Sequence, residues 1–173
     1  MSRTQDKPGG LFAPDPDLVE VSIGEIVVAE APKRLLTPAL GSCVGLAVYD
    51  VYSKRGGLAH IMLPGPSEDL EEEERGRFAD YAVPQIVQRM MEAGSLRRRL
   101  EAKIAGGAAM FRGDSAIGTI GARNVAEVKQ QLALMSVPLV AEDTGESYAR
   151  TMEIRLDDGE TQVRSFQFGV RRL

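Results

Sequence analysis

Tryptophan is absent from this chain, and cysteine and histidine occur once each, as Cys43 and His60. A lone cysteine cannot close an internal disulfide, which excludes a disulfide-stapled scaffold and fits a reducing compartment. One cysteine and one histidine would leave a zinc site to be built mostly from carboxylates at no recognisable spacing, so no metal is expected. No apolar run is long enough to span a bilayer and the start is not signal-like, so membrane insertion is not expected and cytoplasm is the expected address. An excess of positive charge is also missing. The net charge of −4 offers no general attraction to nucleic acid or to an anionic membrane. The short basic run Arg97-Arg98-Arg99 reads as a solvated surface patch rather than a nucleic-acid site. Gly106-Gly107 is not followed by the Gly-Lys-Ser/Thr ending of a phosphate loop, and no dinucleotide fingerprint occurs, so no cofactor is expected.

What is present is the composition of a soluble globular protein, 43% hydrophobic and 27% charged over 173 residues, enough for one domain with one core. Residues 1–16, polar and rich in Gly and Pro, read as a disordered or loosely held tail, and 17–173 as a single domain. Strand patterns cover Val19–Ser22 and Glu25–Ala29, broken at Gly24. Val44–Tyr49 is nearly all apolar, as in a strand covered on both faces, and Gly57–Leu63 is its return strand. Pro64–Arg75 is an acidic, solvated loop. Phe78–Ala93 has helical periodicity, with its regular part expected to begin close to Pro84, because proline suits a first helical turn. Strand Leu100–Ala105 precedes a second helix, opening at Gly118–Asn124 and running to about Met135 with Val125, Val128, Leu132 and Met135 as its stripe. Pro138–Ala141 is a further strand, and Thr151–Leu156 pairs with Glu160–Phe168 around Asp157-Asp158-Gly159. The order predicts an α/β (α+β) domain, with mostly antiparallel strands and two principal helices packed on the sheet.

Leu36–Pro64 holds both unique residues. A thiol and an imidazole are the minimal pair for thioester chemistry: the imidazole draws the proton from sulfur and the thiolate attacks a carbonyl carbon. Cys43 and His60 both fall in strand-like apolar runs, flanked by Gly41 and Gly45 and by Gly56 and Gly57. Residue type alone leaves a second reading open, in which Cys43 is a small buried hydrophobe and His60 a hydrogen-bonded core residue. Direct pairing of the two across a hairpin requires a loop centred between Val51 and Tyr52. The better turn residues, Ser53–Gly56, lie further on and would stagger the pair by about four positions, over about 10 Å. A tight hairpin alone therefore does not build the dyad. If the dyad acts, activity is expected to rise with pH through a group titrating between the free histidine and cysteine values.

Leu40-Gly41-Ser42-Cys43-Val44 and Gly57-Leu58-Ala59-His60-Ile61-Met62-Leu63-Pro64 resemble, in sequence and spacing, the nucleophile and histidine motifs of the chemoreceptor glutamine deamidase family (CheD). Val21–Glu25 resembles the family's opening, and Gly106–Phe111 its Gly-Gly-Ala-x-Met-Phe segment. The resemblance implies an α/β/β three-layer sandwich and hydrolysis of receptor glutamine side chains to glutamate and ammonia through a thioester. It implies Cys43, His60 and Thr37 as the catalytic residues, with Thr37 falling where the family carries its third one, and methyl-accepting chemoreceptors as protein substrates. Gly41, Ser42, Gly106, Gly107 and Phe111 are expected to shape the site or bind substrate. A CheC-like phosphatase is an implied partner. Two alternatives stay open: a non-catalytic adaptor for that phosphatase, and a transglutaminase-like use of the thioester with an amine in place of water. In the segment 142–150, Glu146 and Ala149 stand where the family carries more glycine, which leaves the shape of this loop open.

Overall fold

The computed structural model of the chain describes residues 14–111 and 115–173. Most of the expected tail lies outside the described residues. Of the part described, Asp15 pairs with Arg34 and the Pro16 carbonyl accepts from Lys33 Nζ at 2.9 Å.

Among the described residues, ten strands form two five-stranded sheets. The first contains β1 (Leu18–Glu20), β3 (Arg34–Leu40), β8 (Arg150–Arg155), β9 (Thr161–Ser165) and β10 (Gly169–Arg172), in the order β1-β3-β8-β9-β10. The second contains β2 (Ile26–Glu30), β4 (Val44–Asp50), β5 (Arg55–Ile61), β6 (Leu100–Gly106) and β7 (Leu139–Thr144), in the order β2-β5-β4-β6-β7. The β1–β3 and β6–β7 pairings are parallel, and the other strand pairings among the described residues are antiparallel. The principal helices are α2 (Ala79–Glu92) and α3 (Ile120–Leu134), and α1 (Glu72–Arg75) is a single turn inside the acidic segment expected to be loop throughout.

The second sheet is the middle layer, and its sequence shows why. On β4, Val44, Leu46 and Val48 join Val83, Ile86 and Val128 of the helices in one core, while Ala47 on the opposite face joins Leu35, Leu40, Met152 and Ile154 of the first sheet in another. A strand buried on both faces must be apolar at every position, which the run Val44–Tyr49 is. The α/β/β three-layer sandwich follows directly from these two cores.

Three expectations are corrected. Helix α2 begins at Ala79, five residues before Pro84. The Leu63 and Pro64 carbonyls accept from the Ala79 and Asp80 amides at 2.9 and 3.2 Å, so the preceding loop anchors the helix start, and Pro84 is carried inside the helix. β7 continues to Thr144 because it pairs with β6 as far as Gly106. β10 adds an exposed edge strand beyond the expected hairpin.

Candidate active site

His60 lies near the end of β5, directly opposite Gly45 of β4. Leu58, two residues earlier, belongs to the core between the sheets, so strand alternation turns the imidazole toward the first sheet. There Thr37 of β3 meets it, with Oγ1 2.7 Å from His60 Nδ1. Gly45 makes room for this contact: a Cβ there would come within 2.9 Å of Leu40 and Met152 side chains and 3.3 Å of Thr37 Cγ2. Thr37 Oγ1 also lies 2.7 Å from the Val21 carbonyl, to which it donates. A hydroxyl has one proton to give. Toward His60 it therefore acts as acceptor, which places the ring hydrogen on Nδ1 and leaves Nε2 with its lone pair. Nε2 is buried and has no hydrogen-bond partner.

Cys43 is not inside a strand, as its apolar surroundings predicted, but in the bend between β3 and β4. Ala39, at φ 59°, accompanies a bulge between Thr37 and Leu40 that turns the chain into this bend. The bend is held by its carbonyls. Ala108 N–H donates to Gly41 O at 2.9 Å, Asn124 Nδ2 to Ser42 O at 2.9 Å, and Gly107 N–H to Cys43 O at 2.8 Å. Gly106, at φ +105°, passes so close that a Cβ would collide with the Cys43 carbonyl. The thiol is half-buried and packs on the inter-sheet core.

The hairpin loop is Val51–Lys54, closed by the Asp50–Arg55 pair, and it puts Cys43 and His60 two positions apart rather than four. Lys54, at φ 50°, completes this earlier turn. Residues offset by two on neighbouring strands are diagonal neighbours on one face, about 7–8 Å apart at Cα. No hydrogen bond joins thiol and imidazole, since Nε2 is unpartnered. Such bonds often close only when substrate is bound.

Burial raises the pKa of the Cys43 thiol, with its own backbone N–H working in the opposite direction, and burial lowers that of His60 from 6.5. Both shifts favour the uncharged forms. The two shifts oppose a preformed thiolate–imidazolium pair in the free site. Burial thus moves the imidazole down from 6.5 and the thiol up from its ordinary value, pushing the two groups apart.

Gly41, Gly106 and Gly107 thus sit against the nucleophile bend, and Ser42 contributes its carbonyl there. Phe111 lies beyond them and is 61% exposed. Two residues were not singled out from sequence as site residues. Asn124, fully buried, links Ser42 O to Met62 O, and the only sequence signal was a polar residue four positions before Val128 in an apolar stripe. Arg150, also buried, reaches Asp143, the Gly145 and Tyr148 carbonyls and the Tyr148 ring, which fixes the loop backing Gly106 and Ala109. In that loop Glu146 adopts φ 58°, a left-handed backbone of the kind glycine accommodates.

Among the described residues no helix is long and apolar enough to cross a membrane, and no group of three or more His, Cys, Asp or Glu side chains could hold a metal ion. A family model described as "CheD chemotactic sensory transduction" matches residues 62–165. A "Probable chemoreceptor glutamine deamidase CheD" of Moorella thermoacetica is 48% identical over 87% of this chain and 92% of its own length. The chain belongs to the CheD family. A second CheD-family relative, from Clostridium novyi and bearing the same name, is 42% identical over 91% of this chain and 98% of its own. The match therefore runs well upstream of the family-model segment. A crystal structure of a Bacillus licheniformis hypothetical protein, YfiH, aligns with a TM-score of 0.44 at 14% identity, covering 70% of this chain and 51% of that one.

Proposed function

We propose that the protein is a chemoreceptor glutamine deamidase in which Cys43, His60 and Thr37 carry the reaction. The observation that carries this reading is the Thr37 hydroxyl, committed to Val21 O and so accepting from His60 Nδ1, which leaves Nε2 as a free base on the residue diagonal to Cys43. The name of the relatives supplies the substrate class.

Because the pair starts neutral, proton transfer accompanies attack. As Cys43 Sγ adds to the glutamine carboxamide carbon, Nε2 takes the thiol proton and then gives it to the departing nitrogen. Ammonia leaves and an acyl-thioester remains. Water, deprotonated by Nε2, adds to the thioester, glutamate is released, and the thiol regains its proton. Thr37 orients the ring as the third group of a triad does. A neutral hydroxyl stabilises imidazolium less than a carboxylate would, in keeping with the lowered His60 pKa. The Cys43 N–H is the oxyanion donor. Each conversion adds one negative charge to the receptor, an electrostatic change that can bias its signalling equilibrium. A cytoplasmic address and a CheC-like partner belong to the same proposal.

The test is mass spectrometry of a glutamine-containing receptor fragment incubated in ¹⁸O-water with wild type and with Cys43→Ala. Wild type should convert amide to acid with one ¹⁸O incorporated, and Cys43→Ala should do neither. Equal conversion by both would overturn the mechanism. An amine adduct formed in preference to the acid would favour acyl transfer.

A further inference from the structure

The carboxamide of Asn124 is fully buried, and both its N–H bonds are spent on main-chain carbonyls, Ser42 O and Met62 O, each at 2.9 Å. Ser42 immediately precedes the cysteine, and Met62 follows the histidine by two residues. One side chain on α3 therefore touches both halves of the candidate dyad through their backbones. Asn124 is the fifth residue of the helix. One turn earlier is Gly121, where a Cβ would collide with the Gly107 and Ala108 carbonyls, so the helix start is pressed against the segment lining the cysteine bend.

The bond to Ser42 O has a directional consequence. A trans peptide is planar, with its C=O and N–H pointing in opposite directions. Fixing the Ser42 carbonyl on Asn124 therefore fixes the Cys43 N–H pointing away from α3. That N–H belongs to the same residue as the attacking sulfur. A hydrogen bond accepted by the carbonyl also polarises the peptide and strengthens its N–H as a donor.

We infer that Asn124 is a positioning residue, one that aims and polarises the Cys43 backbone N–H as oxyanion donor while holding the cysteine bend in register with the histidine strand. The inference deepens the deamidase reading and rests on it. Asn124 touches no reacting atom. Its effect belongs to the step in which charge develops on the carboxamide oxygen, and not to substrate binding or to the thiol itself.

Three readouts separate this role from a purely structural one. With Cys43 the only cysteine, selective ¹⁵N-cysteine labelling gives a single backbone amide cross-peak. Asn124→Ala should shift its proton upfield as the peptide loses polarisation. The same variant should lower kcat on a receptor fragment about tenfold to a hundredfold, less than the roughly hundredfold to thousandfold for outright loss of an oxyanion donor because the N–H itself remains, with KM nearly unchanged. Alkylation of Cys43 by iodoacetamide, a displacement with no oxyanion, should keep its wild-type rate. Asn124→Asp keeps the side-chain shape and loses both donors when ionised, so it gives the same pattern if the alanine variant folds poorly. An unmoved cross-peak or a wild-type kcat would overturn the assignment, as would alkylation falling in parallel with deamidation, the mark of a collapsed bend. Wild type lacking deamidase activity while the cross-peak shifts would overturn the proposed function and leave the peptide-orienting role of Asn124 standing.

Discussion

His60 and Cys43 are held in opposite ways. The histidine sits inside a paired strand, is 1% exposed, and is fixed by its side chain, which is tied through Thr37 to Val21 of the neighbouring sheet layer. The cysteine sits in a bend, is half-buried, and is fixed by its main chain, with the carbonyls of Gly41, Ser42 and Cys43 each accepting a hydrogen bond. The difference follows from what each group must do. A base needs one ring nitrogen protonated and one free, a matter of tautomer that a side-chain acceptor sets. A nucleophile that is also an oxyanion donor needs its sulfur unencumbered and its peptide plane fixed, which only backbone contacts provide.

The comparison breaks most readily on the histidine side. Thr37→Val keeps the shape but leaves Nδ1–H and Val21 O unpaired. Deamidation should fall by about tenfold to a thousandfold, since loss of the orienting group of a triad costs up to about ten-thousandfold, and stability should drop by about 1–3 kcal/mol for buried groups left unsatisfied. Iodoacetamide labelling and thermal melts separate the two effects. A variant that retains full activity would show that the tether is structural only.

A second prediction concerns protonation. His60 is held below its ordinary 6.5 by burial, so as pH falls the unfolded chain takes up the proton first. The stability this contributes is complete above about pH 6.5 and is lost as pH falls through the lowered folded value. Wild type should therefore lose more stability than His60→Gln between neutral pH and about pH 5. The thiol runs the other way. Its raised value calls for an alkylation rate that climbs only above the ordinary thiol pKa, with no reactive plateau at acid pH. Such a plateau would reveal a preformed ion pair.

The smallest effect tests the support behind the cysteine. Glu146 occupies left-handed backbone at φ 58° while its carbonyl accepts from Ala109 N–H at 2.8 Å. Glu146→Gly should change stability by less than about 1 kcal/mol, because relief of the strained backbone is largely offset by the entropy of glycine in the unfolded chain. Activity should be unchanged. A large loss would mean that the Glu146 side chain has a role beyond holding its backbone.

Much of this was legible in the sequence because it rests on periodicity. The run Val44–Tyr49 announced a strand covered on both faces, and the α3 stripe announced which side of the helix is buried. The hairpin register was not legible, because it depends on Lys54 adopting a left-handed backbone and closing the turn earlier than Ser53–Gly56 would. The start of α2 was misplaced for a similar reason: loop carbonyls that stabilise Ala79 and Asp80 outweigh the preference of Pro84 for a first turn. At the site, the residue types of Cys43 and His60 showed in one dimension and the family motif pointed to Thr37. Asn124 and Arg150 act on main-chain carbonyls distant in sequence, and no spacing rule marks such partners.

The central claim is that Thr37 places the ring hydrogen of His60 on Nδ1 and leaves Nε2 as the base. Since His60 is the only histidine, ¹⁵N-histidine labelling reads its two ring nitrogens without overlap. At neutral pH the expected result is a protonated Nδ1 and an unprotonated Nε2 in wild type, with that preference lost in Thr37→Val. A hydrogen on Nε2 in the wild-type protein would contradict the account, because that nitrogen would then have no lone pair with which to take the thiol proton.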